Sequence, residues 1–108
     1  MPYMFTYNIF PPGQAENISK IYVKEIKEAR AALRQLAKEV VPNAVKATLD
    51  GMTVIGVWDV KEGKLEELLK LQQKLLLAYH EIEGYKYRIE VRFKVTEALE
   101  MLGMKVPE

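Results

Sequence analysis

Apolar and polar residues along this chain fall into stretches of period two and stretches of helical period. In EGYKYRIEVRFKV, residues 83–95, Tyr85, Tyr87, Ile89, Val91, Phe93 and Val95 take alternate positions, and Lys86, Arg88, Glu90, Arg92 and Lys94 fill the gaps. That alternation predicts a strand with one apolar and one charged face. Residues 3–10, YMFTYNIF, predict an aromatic-rich strand closed by Pro11-Pro12-Gly13. From 16 to 41 the apolar positions Ile18, Tyr22, Ile26, Ala29, Leu33, Leu36 and Val40 recur at helical spacing. Pro42 disfavours helical backbone at Val41 and is expected to stop that helix. Residues 44–49 and 52–60 predict a hairpin turning at Asp50-Gly51. Lys61-Glu62-Gly63 then leads into a second helix over 64–81, which Gly84 closes. Thr96 is the expected N-cap of a short helix over 97–102, stopped by Gly103.

The order β-α-β-β-α-β with a terminal helix predicts a single α+β domain of ferredoxin-like, split-βαβ type. Right-handed crossovers place both long helices on one face of a four-stranded antiparallel sheet, with the first and third strands central. A turn at Asp50-Gly51 sets Leu49 opposite Met52, Ala47 opposite Val54 and Val45 opposite Gly56. Val45, Ala47, Leu49, Met52, Val54 and Trp58 then share the helix-covered face, and Lys46, Thr48, Thr53, Ile55, Val57 and Asp59 the open one. The fourth strand is expected to send its apolar row into the core and leave Lys86, Arg88, Arg92 and Lys94 on the open face. Ile55 and Val57 are apolar for a wetted central strand, so a second copy is expected to cover them, with Thr53, Ile55 and Val57 in the seam and the basic row at its rim. The pattern of strand one leaves open whether Tyr3, Phe5 and Tyr7 or Met4, Thr6 and Asn8 face outward.

Composition narrows the classes. The chain has 108 residues, enough for one cored domain, and no cysteine, so disulfides and thiol chemistry are excluded. Sixteen basic and fifteen acidic residues leave +1, no global field for nucleic acid or anionic membrane. No apolar run approaches a membrane span, and a cytoplasmic protein is expected. Charge-rich helices without cysteine are compatible with a thermophilic source.

YNIFPPG closing strand one, TVIGVWDV leading into the second helix and YRIEVRFKVTEALEML at the end resemble the dimeric α+β-barrel superfamily, in particular a family of short, poorly characterised proteins within it. The resemblance spans nearly the whole chain. It implies two ferredoxin-like sheets packed into a barrel as a homodimer, and brings no catalytic signature. Better-known relatives are antibiotic monooxygenase-like and haem-degrading proteins. The haem degraders resemble this chain in an asparagine on the first strand and a histidine on the second helix, where Asn8 and His80 stand. They also use a tryptophan on that helix, whereas the one tryptophan here, Trp58, lies on strand three, and no cofactor or metal is expected.

Two residues of the second helix stand out. His80, the one histidine, borders the apolar arc as a proton carrier or ligand, or as a boundary side chain near a helix C-terminus. Gln72 projects into the middle of an arc of leucines, where an amide requires partners or a polar cavity. Leu77 falls on the opposite side of that helix. The expected function is a dimeric binding or structural module, with Asn8, Trp58, Gln72, Tyr79 and His80 as candidate pocket residues. The alternative is a small-molecule oxygenase of the dimeric-barrel kind. Single-stranded nucleic acid on the open sheet ranks lower, because the outward residues of the third strand are not aromatic.

Overall fold

The computed structural model describes residues 1–105 of the chain. Its elements are β1 (Tyr3–Phe10), a short 3-10 turn (Pro12–Gln14), α1 (Ala15–Leu36), β2 (Ala37–Thr48), β3 (Gly51–Val60), α2 (Leu65–Leu77), β4 (Lys86–Arg92) and α3 (Val95–Met101). The strands form one antiparallel sheet in the order β2-β3-β1-β4, with β1 and β3 central. This α+β arrangement is compatible with a ferredoxin-like fold.

α1 ends earlier than its periodicity predicts. Helical geometry stops at Leu36, and Ala37 is already extended at φ −159° and ψ 158°. Ala37 pairs with Val60, each only 1 % exposed, and the Lys61 amide donates to the Leu36 carbonyl at 3.0 Å. Packing and pairing at the chain crossing outweigh the helical register of Val40. β2 therefore starts seven residues before the predicted strand and passes through Pro42, which an edge strand accommodates because its missing N–H faces no partner. Pairing is irregular between Glu39 and Ala44, and Asn43 sits there at φ 24°.

The hairpin also turns one residue early. Thr48 pairs with Gly51 and Ala47 with Met52, leaving Leu49 and Asp50 as the loop. The Thr48 hydroxyl donates to the Gly51 carbonyl at 2.8 Å and accepts from the Asp50 amide at 3.2 Å, which fixes the tighter loop. The parity of β3 is as expected: Met52, Val54, Gly56, Trp58 and Val60 face the helices, and Thr53, Ile55, Val57 and Asp59 the open side. Leu49, expected in the core, is fully exposed in the turn, and Val45 is 60 % exposed where α1 does not reach over the edge strand. α3 begins at Val95, with the Glu97 carboxylate accepting from the Lys94 amide at 3.0 Å, so Lys94 rather than Thr96 stands at the cap.

Two buried clusters underlie the helices. One gathers Met4, Leu33, Leu36, Ala37, Trp58, Val60 and Leu68; the other gathers Phe10, Ile18 and Tyr79. Between them on the chain's central strand and second helix stand two buried polar residues, Thr6 and Gln72. β4 contributes less than its alternation predicts: Ile89 packs against the first cluster, but Val91 and Phe93 are exposed, as is Val95 beyond it, because the helices do not extend over that end of the edge strand.

Candidate functional site

The break between the two clusters is a cavity of about 340 Å³ between α1, α2 and the sheet. Antiparallel pairing fixes its floor. Asn8 pairs with Val54 and Thr6 with Gly56, which puts the even positions of β1 on the helix side. Gly56 leaves the floor open: a Cβ there would lie 2.8 Å from Asn43 Oδ1 and 2.9 Å from Thr6 Oγ1. α2 supplies the roof through Gln72, Leu75 and Leu76, followed by Tyr79, and α1 forms one wall. On the far side the irregular part of β2 leaves the opening. It is spanned at one point by the Asn43 amide donating to the Tyr22 hydroxyl at 3.1 Å.

Gln72 and Thr6 are each 6 % exposed and line this cavity, and the side chain of neither takes part in a hydrogen bond among the described residues. Among the described residues no polar side-chain atom is both sealed from solvent and unpartnered. The Gln72 amide and the Thr6 hydroxyl therefore open onto the cavity rather than onto protein.

At one end of the cavity lies a titratable group. Burial pushes the Glu25 carboxyl above the usual carboxylate range, against the pull of a hydrogen bond from Tyr79. Burial, reinforced by the neighbouring carboxylate, raises Tyr79 and Tyr85 well above the ordinary phenol value, so both remain protonated donors. Their rings stack at 4.8 Å between centroids and 15° between planes. Arg30 and Arg34 of α1 line the cavity while exposed to solvent, which places them at its mouth, and Glu39 of β2 also lines it.

Of the residues singled out from the sequence, Asn8, Trp58, Gln72 and Tyr79 come together around this cavity. His80 does not. It is exposed beyond α2, with Nδ1 2.9 Å from the Leu77 carbonyl and Nε2 3.8 Å from a Glu81 carboxylate oxygen. After Leu77 the backbone tightens to successive i→i+3 bonds, with Ala78, Tyr79 and His80 donating to Leu75, Leu76 and Leu77, which rotates His80 off the arc that α-helical spacing implies. An iron placed in the cavity would meet no imidazole or thiolate, and the buried phenols of Tyr79 and Tyr85 are held protonated, so the lining does not fit a haem. Among the described residues no group of three or more His, Cys, Asp or Glu is placed to hold a metal ion. Sequence reasoning missed Thr6, Glu25 and the two arginines. Glu25 and the arginines sit at polar positions of an amphipathic helix, and only the gap between α1 and β2 makes those positions part of a cavity lining.

The opposite face of the sheet is different in kind. Tyr3, Phe5, Tyr7 and Ile9 run down β1 beside Val57 and Ile55 of β3. Phe5 and Tyr7 stack at 6.2 Å and 8°. Arg88 lies 4.6 Å over Tyr7, Arg92 5.1 Å over Phe5 and Lys94 5.1 Å over Tyr3. The same cations are matched by acids: Arg88 and Arg92 each reach Glu90 at 2.8 Å, and Lys94 reaches Asp59 at 2.8 Å. Lys86 continues the row opposite Ile9. Among the described residues no helix is long and apolar enough to cross a membrane. In comparison with known proteins, no family model, curated protein or solved structure matches the chain.

Proposed function

We propose that this protein is a homodimeric small-molecule-binding module of the α+β-barrel kind, each subunit holding a mainly apolar ligand between its helices and its sheet. The observation that carries the reading is Gln72. Gln72 is 6 % exposed within an arc of leucines, and its amide opens onto the cavity, where it is able to bond to what fills it. Leucines occupy the positions around it, so a leucine there would complete the core at no chemical cost. The amide and the Thr6 hydroxyl give a ligand its orientation, and the apolar walls give it affinity. A volume of about 340 Å³ falls within the range of small-molecule sites.

The test is titration with N-phenyl-1-naphthylamine, a neutral apolar fluorophore. Saturable binding of one probe per subunit is expected, with nuclear Overhauser contacts to the Val54 and Leu76 methyl groups. Absence of binding, or contacts only to the open sheet face, would overturn the reading.

A surface argument supports the dimer. The chain exposes 7639 Å², whereas a folded monomer of this mass exposes about 6100 Å². Its radius of gyration is 15.6 Å, against about 13 Å for a compact domain of this length. The excess exceeds the roughly 800 Å² that each partner of a stable complex buries. The half-buried aromatic stripe of β1 with Ile55 is the apolar surface we assign to the seam, Val57 beside it being only 9 % exposed in the single chain, and the ion-paired β4 row suits a rim. Wild-type protein is expected to be dimeric by light scattering at micromolar concentration, and Ile55→Lys or Val57→Lys to give monomer or aggregate. A monomeric wild type at that concentration would sink this part of the proposal.

A further inference from the structure

We infer that the ligand of this cavity is an amphipathic anion, an apolar body bearing one negatively charged oxygen-rich group such as a carboxylate or sulfonate, held at the mouth by Arg30 and Arg34. The inference rests on the cavity being a ligand site, as proposed above, and adds the chemistry of what enters it.

Three observations converge. Arg30 and Arg34 stand one turn apart on the cavity-lining side of α1, and neither is in an ion pair among the described residues. Elsewhere on the helices some cations are matched, Lys20 with Glu16 and Lys70 with Glu66, while Lys24, Lys27 and Lys74 are in no ion pair among the described residues, so what sets the two arginines apart is their place in the cavity lining. The sequence around the two arginines offers no acid three or four residues away. Ile26 and Lys27 precede Arg30, and Ala37 and Lys38 follow Arg34. Two like charges one turn apart repel, and both side chains, exposed to solvent on one side, line the apolar cavity on the other. Guanidinium groups present a planar fork that accepts an oxygen-rich anion with two parallel hydrogen bonds.

The second observation is the buried amide and hydroxyl. Gln72 and Thr6 lie within the cavity and lack protein partners, so what fills it has a polar atom along an otherwise apolar body. The third is the placement of acid. Glu25 is half-buried and engaged by Tyr79, and Glu39 lines the cavity from β2, an element other than the one that carries the arginines. These two carboxylates repel a second negative charge anywhere but at the arginine side. A single anionic group there, with the apolar part running inward past Gln72, satisfies all three. Solvated arginines near a helix C-terminus would explain Arg34 alone, but not the pair together with the unpartnered interior.

A matched pair of probes tests this. N-phenyl-1-naphthylamine and 1-anilinonaphthalene-8-sulfonate share a phenylnaphthylamine skeleton, and only the second carries an anionic group. In the Arg30→Gln/Arg34→Gln variant the sulfonate should bind about tenfold or more weakly, the scale of losing charge-assisted hydrogen bonds, while the neutral probe binds as in wild type. Lys24→Gln/Lys27→Gln removes the same charge from the exposed side of α1 and should change neither affinity. If the neutral probe binds but the sulfonate does not, or loses equally in both double variants, or loses nothing at the arginines, the anion inference fails and the binding reading stands. If neither probe enters the cavity, the binding reading itself fails.

Discussion

Single side chains explain most of what is unusual about the interior. Gln72 is kept where packing favours a hydrocarbon, so Gln72→Leu should stabilise the empty protein by on the order of 1 kcal/mol, raising its melting temperature by several degrees. An unchanged or lower melting temperature would mean that the amide is satisfied structurally. Glu25 gives a pH signature. Its folded pKa is raised, chiefly by burial, so the folded state binds a proton more tightly than the unfolded chain does. Stability from this group is present below the ordinary carboxylate value and is lost as pH rises through the folded value. Relative to Glu25→Gln, the wild type should therefore lose stability on going from about pH 4.5 upward. Parallel urea midpoints for the two proteins across that window would contradict the burial of this carboxyl.

At the level of elements, the hairpin and the two edge strands set the limits of the fold. Gly51 begins β3 at φ 136°, and a Cβ there would lie 2.7 Å from the Phe10 carbonyl oxygen. That neighbour is backbone of the central strand and cannot turn aside. Gly51→Ala should cost on the order of 1–3 kcal/mol, measured as a fall in the denaturant midpoint; a neutral effect would mean that the β2–β3 turn relaxes freely. The alternation in β4 was fully legible, yet its charged row is matched internally by Glu90 and Asp59. Single-stranded RNA is therefore expected to bind only weakly at physiological salt. A submicromolar complex lost on Arg88→Ala plus Arg92→Ala would reassign the open face.

For the whole molecule the deciding quantity is surface. A chain of this size leaves more area uncovered than a folded monomer of its mass, and the proposed dimer would cover the half-buried aromatic stripe with apolar rather than ionic contacts. Its association should therefore hardly change when salt is raised to about 1 M, where charges farther apart than about 3 Å are screened. A dimer that dissociates steeply with salt would place the binding energy in the β4 row instead. Exposed Phe93, Val95, Met101 and Leu102 gather beyond β4 at the end where Tyr3 lies, extending the apolar surface past the sheet.

Local pattern determined the order of elements, the central place of β1 and β3, and which side of β3 and β4 each residue takes, because alternation and turn chemistry act over a few residues. Gln72 was conspicuous for the same reason, a polar residue inside a leucine arc. Other features depended on contacts between segments distant in the chain. Helical spacing ran on through Val40, and only the pairing of Ala37 with Val60 ended α1. Asp50-Gly51 signalled a turn, but the bonds of Thr48 chose its residues. The outward face of Tyr3, Phe5 and Tyr7 followed from register with β3, and His80 lies outside the pocket because the turn after Leu77 tightens to i→i+3 bonds. The cavity itself is a gap between α1 and an irregular edge strand. Its lining draws Thr6, Glu25, Arg30 and Gln72 from separate elements, and a volume enclosed by distant segments has no local signature in sequence.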